Sequence, residues 1–124
     1  MASPTFKAVH PVLPVRDIQQ SLSYYIDKLG FSLAFIDSQE NPMYIGIRRD
    51  AIEIHLQWHQ EENWKQMNAS SLRFVIEDIE ALFKEYQSQD VFHEQTILRK
   101  TDWGTQEFAF YDPDRNGLTF YRDL

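Results

Sequence analysis

The sequence predicts an α+β fold of two βαβββ modules in tandem. Three observations carry that expectation: an internal repeat, a change of hydrophobic period after each copy of it, and one polar stretch near the middle. Val15–Tyr25 and Ile76–Tyr86 superpose at an offset of 61 in a chain of 124 residues. They share a β-branched residue, an Asp-Ile pair, an apolar residue four positions after the isoleucine, and a tyrosine. Each copy reads as strand, N-cap and helix. Asp17 and Asp78 can accept hydrogen bonds from the free N–H groups of a first turn, and Gln20 adds a capping-box partner. Ile18, Leu22, Tyr25, Ile26 and Leu29 form one face of the first helix, which Gly30 stops. Ile79, Leu82, Phe83 and Tyr86 form the matching face of the second.

After each helix the period falls from 3.6 to 2. Phe31–Asp37, Met43–Arg48 and Ile52–Trp58 are expected strands, broken at Asn41-Pro42 and Arg49-Asp50-Ala51. In the second half Val91–Lys100, Gln106–Asp112 and Gly117–Arg122 repeat the arrangement, and 112–117 supplies a turn rich in residues that tolerate positive φ. Gln60–Ser70, polar apart from Trp64, Met67 and Ala69, reads as the linker. One domain over 1–124 follows, with modules at 1–60 and 71–124. Strand edges left open by such small modules favour a homodimer.

Composition sets the broad class. The chain has no cysteine, which excludes disulfides, thiolate zinc sites and a cysteine nucleophile. A formal charge of −7, from 12 basic and 19 acidic residues, opposes non-specific nucleic-acid binding. Neither a signal peptide nor a membrane span is legible, so a soluble cytoplasmic protein is expected. No glycine-rich phosphate loop, Gly-x-Ser-x-Gly elbow or His-Glu-x-x-His helix is present. The carboxylate pairs Glu61-Glu62 and Asp112/Asp114 fall in the linker and the turn, where solvated roles are expected.

His10-Pro-Val-Leu-Pro-Val-Arg-Asp-Ile, Tyr24-Tyr25-Ile-Asp-Lys-Leu-Gly30-Phe31, the hairpin Arg49–Ile54 and the ending Trp103-Gly104-Thr-Gln-Glu107-Phe108 through Asp112-Pro113-Asp114 together resemble the glyoxalase/bleomycin-resistance/dioxygenase (vicinal oxygen chelate) superfamily. Within it the chain is most similar to the bleomycin-binding resistance proteins, on its Trp-Gly-x-x-Glu-Phe segment. The resemblance implies paired βαβββ modules, a dimer, and exchange of an N-terminal strand hinged at Pro11. Pro11 also fits the plain start of an edge strand.

The superfamily's enzymes hold a divalent metal at positions that match His10, Glu53, Ser71 and Thr119. Two good ligands remain, since hydroxyls bind such cations poorly. His55, two residues from Glu53 and so on the same strand face, could complete a His10/Glu53/His55 set. A solitary strand histidine is otherwise a surface or hydrogen-bonded residue. With the set otherwise broken, no cofactor and no catalytic residue is expected; a metal-dependent lyase or dioxygenase using His10 and Glu53 is the alternative.

The resistance branch binds flat cationic antibiotics without chemistry, by aromatic stacking and cation–π contact. The resemblance places groove aromatics at Phe35 and Tyr44 and the ligand-stacking pair at Trp103-Gly104. The branch's other groove tryptophan falls at Arg73, where a cation replaces a stacking face, repels a positively charged drug, and still stacks on aromatic rings. Phe35 and Tyr44 also fit a core, whereas Trp103 sits in a loop where burial is less natural. Trp58 and Trp64 are expected to pack the linker or a dimer. The expected function is sequestration of a planar small molecule.

Overall fold

The computed structural model describes residues 3–60 and 70–124. Most of the expected linker, with Trp64 and Glu61-Glu62, lies outside them. The first module runs β1 (Val12–Val15), α1 (Ile18–Ser23) with a π-helical turn (Tyr24–Lys28), β2 (Ser32–Ile36), β3 (Tyr44–Arg49) and β4 (Ile52–Trp58). The second runs β5 (Ser71–Val75), α2 (Ile79–Gln87), β6 (Arg99–Lys100), β7 (Thr105–Tyr111) and β8 (Gly117–Asp123). Each module is a four-stranded sheet, ordered β1-β4-β3-β2 and β5-β8-β7-β6. The pairs β1/β4 and β5/β8 are parallel and the others antiparallel. This is the βαβββ arrangement twice, as expected. Among the described residues no helix is long and apolar enough to cross a membrane.

Both helices begin where the aspartates place them. Asp17 accepts from the Gln20 N–H at 3.1 Å and Asp78 from the Ala81 N–H at 3.1 Å. The buried face of the first helix is not the regular 3.6-residue one. Ile18, Ser21, Tyr25 and Leu29 are buried while Leu22 and Ile26 are half-buried. The π turn is the cause: its wider ring brings the Leu29 N–H back five residues to the Tyr24 carbonyl at 3.3 Å and rotates everything after it. Gly30 stops the helix at φ +79°, and a Cβ there would meet Arg49 Nη1 at 2.7 Å.

The helices cover one face of each sheet. Ile45, Ile47, Ile54 and Leu56 point into the first core, and Phe108, Phe110, Leu118 and Phe120 into the second. All phenylalanines except Phe6 and Phe35 belong to this core or pack on it, so few remain for a ligand. Trp58 is half-buried and packs against the core.

Two other expectations fail. Of Val91–Lys100 only Arg99–Lys100 is strand. Val91 is buried and Phe92 packs on Phe83 and Phe108, so the segment is anchored by its apolar side chains. Side chains replace its ladder: the Tyr111 N–H donates to His93 Nε2 at 2.9 Å and Thr96 Oγ1 donates to the Ala109 carbonyl at 2.9 Å.

Asp112 and Asp114 are buried rather than solvated, 4% and 8% exposed. Asp112 accepts from Tyr25 Oη at 2.8 Å, from the N–H groups of Asp114 and Asn116, both at 2.9 Å, and from Asn116 Nδ2 at 2.9 Å. Asp114 accepts from the Arg16 N–H at 3.0 Å and from Ser21 Oγ at 3.1 Å, and Asn116 Nδ2 donates to the Pro14 carbonyl at 3.1 Å. The turn of the second module thus caps the outer edge of β1, where Pro14 has no N–H to leave unpaired. A second tie joins the modules: Arg49 Nη1 donates to the Leu29 carbonyl at 2.7 Å and bonds Glu85 at 2.7 Å, while Tyr86 Oη donates to the same carbonyl at 2.7 Å.

Candidate functional site

Alternation along the strands leaves each sheet a face turned away from its core. On the first sheet that face carries Tyr44, Gly46, Arg48, Glu53 and His55; on the second, Ser71, Arg73, Glu107, Thr119 and Tyr121.

Phe35 reaches the first of these faces through a bulge. Leu33 pairs with Ile47 and Phe35 with Gly46, so Ala34 is an extra residue in β2 and Phe35 switches sides. Its ring lies on Gly46, where a Cβ would fall inside van der Waals contact of the ring. Phe35 stacks with Tyr44 at 6.1 Å and meets His55 edge-on at 5.0 Å. Tyr44 Oη and His55 Nδ1 are hydrogen-bonded at 2.8 Å. Phe35 is 39% exposed, so both expected groove aromatics stand on an open face.

The polar half of this face brings together His10, Glu53 and His55. Glu53 Oε2 lies 2.8 Å from His55 Nε2 and 3.6 Å from His10 Nε2, and the His10 and His55 rings are 4.7 Å apart. One donor atom from each of the three lies within 4.8 Å of the others, a spacing that a divalent cation could bridge. Glu53 Oε1 is meanwhile held by Arg48 Nη2 at 2.7 Å. The hydrogen bond with His55, then that from Arg48, holds the Glu53 carboxyl down to about 2. Ser71 and Thr119 stand on the other sheet.

On the second sheet Glu107 is buried among donors. Thr105 Oγ1 donates to it at 2.8 Å and Arg73 Nη2 at 3.1 Å. Burial pushes its carboxyl up, but the hydrogen bonds from Thr105 and Arg73, with a weaker one from Trp103, outweigh it and hold the group below the usual range. The Arg73 guanidinium lies 4.3 Å from the centroid of the Tyr121 ring, and that of Arg99 lies 5.8 Å from the Trp103 ring. Trp103 is 62% exposed in the loop closed by Gly104 at φ +89°.

Phe35 and Tyr44 therefore form one half of the expected site, and Trp103, Gly104 and Arg73 the other. Among the described residues no ring contact or hydrogen bond joins the halves. A cavity of about 1110 Å³ is lined by His10, Arg48 and Glu53 of the first module and Arg73 of the second, and runs past Phe74 to Tyr86 on α2, beside the N-terminal arm. Sequence reasoning missed Tyr121, Arg99 and the buried role of Glu107. Glu107 was in view within the Trp-Gly-x-x-Glu-Phe segment, and period-2 alternation alone would have placed it beside Thr105.

A family profile described as the glyoxalase/bleomycin resistance protein/dioxygenase superfamily matches residues 7–120. The chain belongs to that superfamily. A bleomycin resistance protein of Geobacillus stearothermophilus is 27% identical to it over 129 residues, covering 92% of this chain and 95% of the relative. The solved structure of a bleomycin resistance determinant encoded on the transposon Tn5 shares the fold at a TM-score of 0.80 and 18% identity, over 95% of this chain and 98% of that one. So does the bleomycin-binding protein of Streptomyces verticillus complexed with copper(II)-bleomycin, at 0.77 and 22%, over 98% and 100%.

Proposed function

We propose that this member of the superfamily is a non-catalytic binding protein, sequestering a planar small molecule in clefts that two copies of the chain build together. The observation that carries the reading is the division of the aromatic site. Phe35 and Tyr44 lie on the outer face of the first sheet and Trp103, 62% exposed, in the loop between β6 and β7 of the second, and no ring contact among the described residues joins them. Facing the first module of one copy with the second module of another would sandwich a ring between them, where aromatic contacts contribute roughly 0.5–1.5 kcal/mol each.

The N-terminal arm supports two copies. In the arm before β1, Phe6 is 99% and Val9 89% exposed, His10 rests against His55, and the Pro11 carbonyl accepts from the His55 N–H at 2.9 Å. Exchange of this arm would cover those side chains. Relatives named for bleomycin resistance or bleomycin binding support an antibiotic as the cargo.

A mixing experiment tests the arrangement. Phe35→Ala and Trp103→Ala are expected to lose about tenfold in affinity each. Unfolding and refolding the two variants together should restore full affinity at about a quarter of the clefts, because half of the dimers are mixed and one cleft in each of those is intact. A mixture showing only the weakened affinities of the two single variants would place the cleft within one chain. The titration uses metal-free bleomycin and a panel of planar dyes.

One observation favours a second reading. The His10, Glu53 and His55 donors are close enough to hold a divalent cation, which as a Lewis acid would polarise a bound oxygen. Arg48 already balances Glu53, which weakens that carboxylate as a ligand. Stoichiometric metal in purified protein, lost on His10→Ala, would establish this reading over the first.

A further inference from the structure

Resting on the cleft reading above, we propose that the ligand is a planar aromatic anion whose carboxylate is received by Arg73, with Arg99 as a second cation. The argument is an account of donors and acceptors on the two open faces. The two central carboxylates there are engaged: Glu53 by Arg48 at 2.7 Å and by His55 at 2.8 Å, and Glu107 by Thr105 at 2.8 Å and by Arg73 at 3.1 Å. A cationic group on a ligand would have to displace a guanidinium to reach either one.

The donors are in the opposite condition. A guanidinium has five N–H groups in its plane, and Arg73 spends one side of that plane on Glu107 while its flat face rests on Tyr121. Stacking uses the face and leaves the edge for an in-plane carboxylate. Its side chain is 46% exposed, so the edge is reachable from solvent. Arg99 stands directly across the strand pair from Glu107, next to Trp103. The remaining acid on this face, Asp123, pairs with Thr105 at the far end of β8.

Arg73 itself lines the cavity of about 1110 Å³, together with Arg48, Arg49 and the carboxylates of Asp50, Glu53, Glu77, Asp78 and Glu85. Its strand neighbour Thr119 borders a separate cavity of about 390 Å³ lined also by Ser71, His93, Thr96 and Tyr111, with no carboxylate in the lining. That volume is within the range of small-ligand pockets, roughly 300–1,000 Å³.

The test uses three probes that differ only in charge: anthracene-2-carboxylate, 2-anthracenemethanol and 2-(aminomethyl)anthracene, titrated into the full chain by fluorescence. The carboxylate should bind about tenfold more tightly than the alcohol, and the amine more weakly than both. Arg73→Gln should abolish the preference for the carboxylate while the alcohol's affinity stays within about twofold. Arg99→Gln should reduce that preference in part, and gives a second readout if the Arg73 variant is unstable. Tightest binding of the amine, or a carboxylate preference unchanged in both variants, overturns the proposal and leaves the cleft intact. Absence of binding by all three probes, together with absence of bleomycin binding, overturns the cleft reading and this inference with it.

Discussion

Replacing Asp112 with alanine should cost about 3–5 kcal/mol of stability, a large effect for a turn residue and one that follows from what its carboxylate holds. Four donors converge on it, from Tyr25 Oη, the N–H groups of Asp114 and Asn116, and Asn116 Nδ2. Asn116 Nδ2 keeps the Pro14 carbonyl after the substitution, but the Tyr25 hydroxyl, on a residue 0% exposed, is left with no acceptor. Each buried donor left unpaired costs roughly 1–3 kcal/mol, and the turn loses two backbone bonds besides. Against a total stability of about 5–15 kcal/mol this is a substantial fraction. Urea denaturation reads it directly: with a slope of about 1.5 kcal/mol/M the midpoint falls by roughly 2–3 M. Tyr25→Phe alone should cost about 1–2 kcal/mol, and adding it to Asp112→Ala should cost almost nothing more, because the orphaned hydroxyl is gone. A loss below about 1 kcal/mol for Asp112→Ala, or strictly additive effects in the double variant, would refute the claim that this turn clasps the first module.

Two further substitutions probe the open faces. Gly46→Ala puts a methyl group where the Phe35 ring rests, so the ring must swing off β3; ligand affinity should fall about as far as in Phe35→Ala, roughly tenfold, with a melting temperature close to that of the parent. Glu107→Gln tests the buried carboxylate by pH. Because the folded pKa lies below the unfolded value of 4.5, the charge contributes stability above that pH and loses it as the pH falls further. The melting temperature of the variant should therefore lie below that of the parent at neutral pH, with the gap closing progressively below pH 4.5, as followed by thermal melts across that range.

The sequence by itself determined the architecture. The offset repeat, the aspartate caps and the switch from helical to strand periodicity are local or pairwise signals, and each describes a choice the chain makes over fewer than about ten residues. They placed two helices, two sheets and the stop at Gly30. The same alternation put Glu53 and His55 on one face, so the cluster with His10 was within reach of the sequence.

Tertiary structure decided the rest, because the deciding neighbours are distant in the chain. Asp112 and Asp114 read as solvated turn residues, and only the approach of Tyr25 and Ser21, 87 and 93 positions away, turns them into a buried clasp. Val91–Leu98 has the composition of a strand, but the packing of Phe92 on Phe108 and the capture of the β7 edge by His93 and Thr96 leave it without a ladder. Phe35 could be read equally as core or groove, since periodicity counts residues and cannot see that a bulge at Ala34 has shifted the count by one. Glu107 was visible as a letter in a motif, while its burial depends on Arg73 arriving from a strand 34 residues earlier. A residue's type and spacing fix which face and which element it can occupy; which partner satisfies its charge is set by the pairing of strands and modules, and on that pairing the chemistry of both open faces depends.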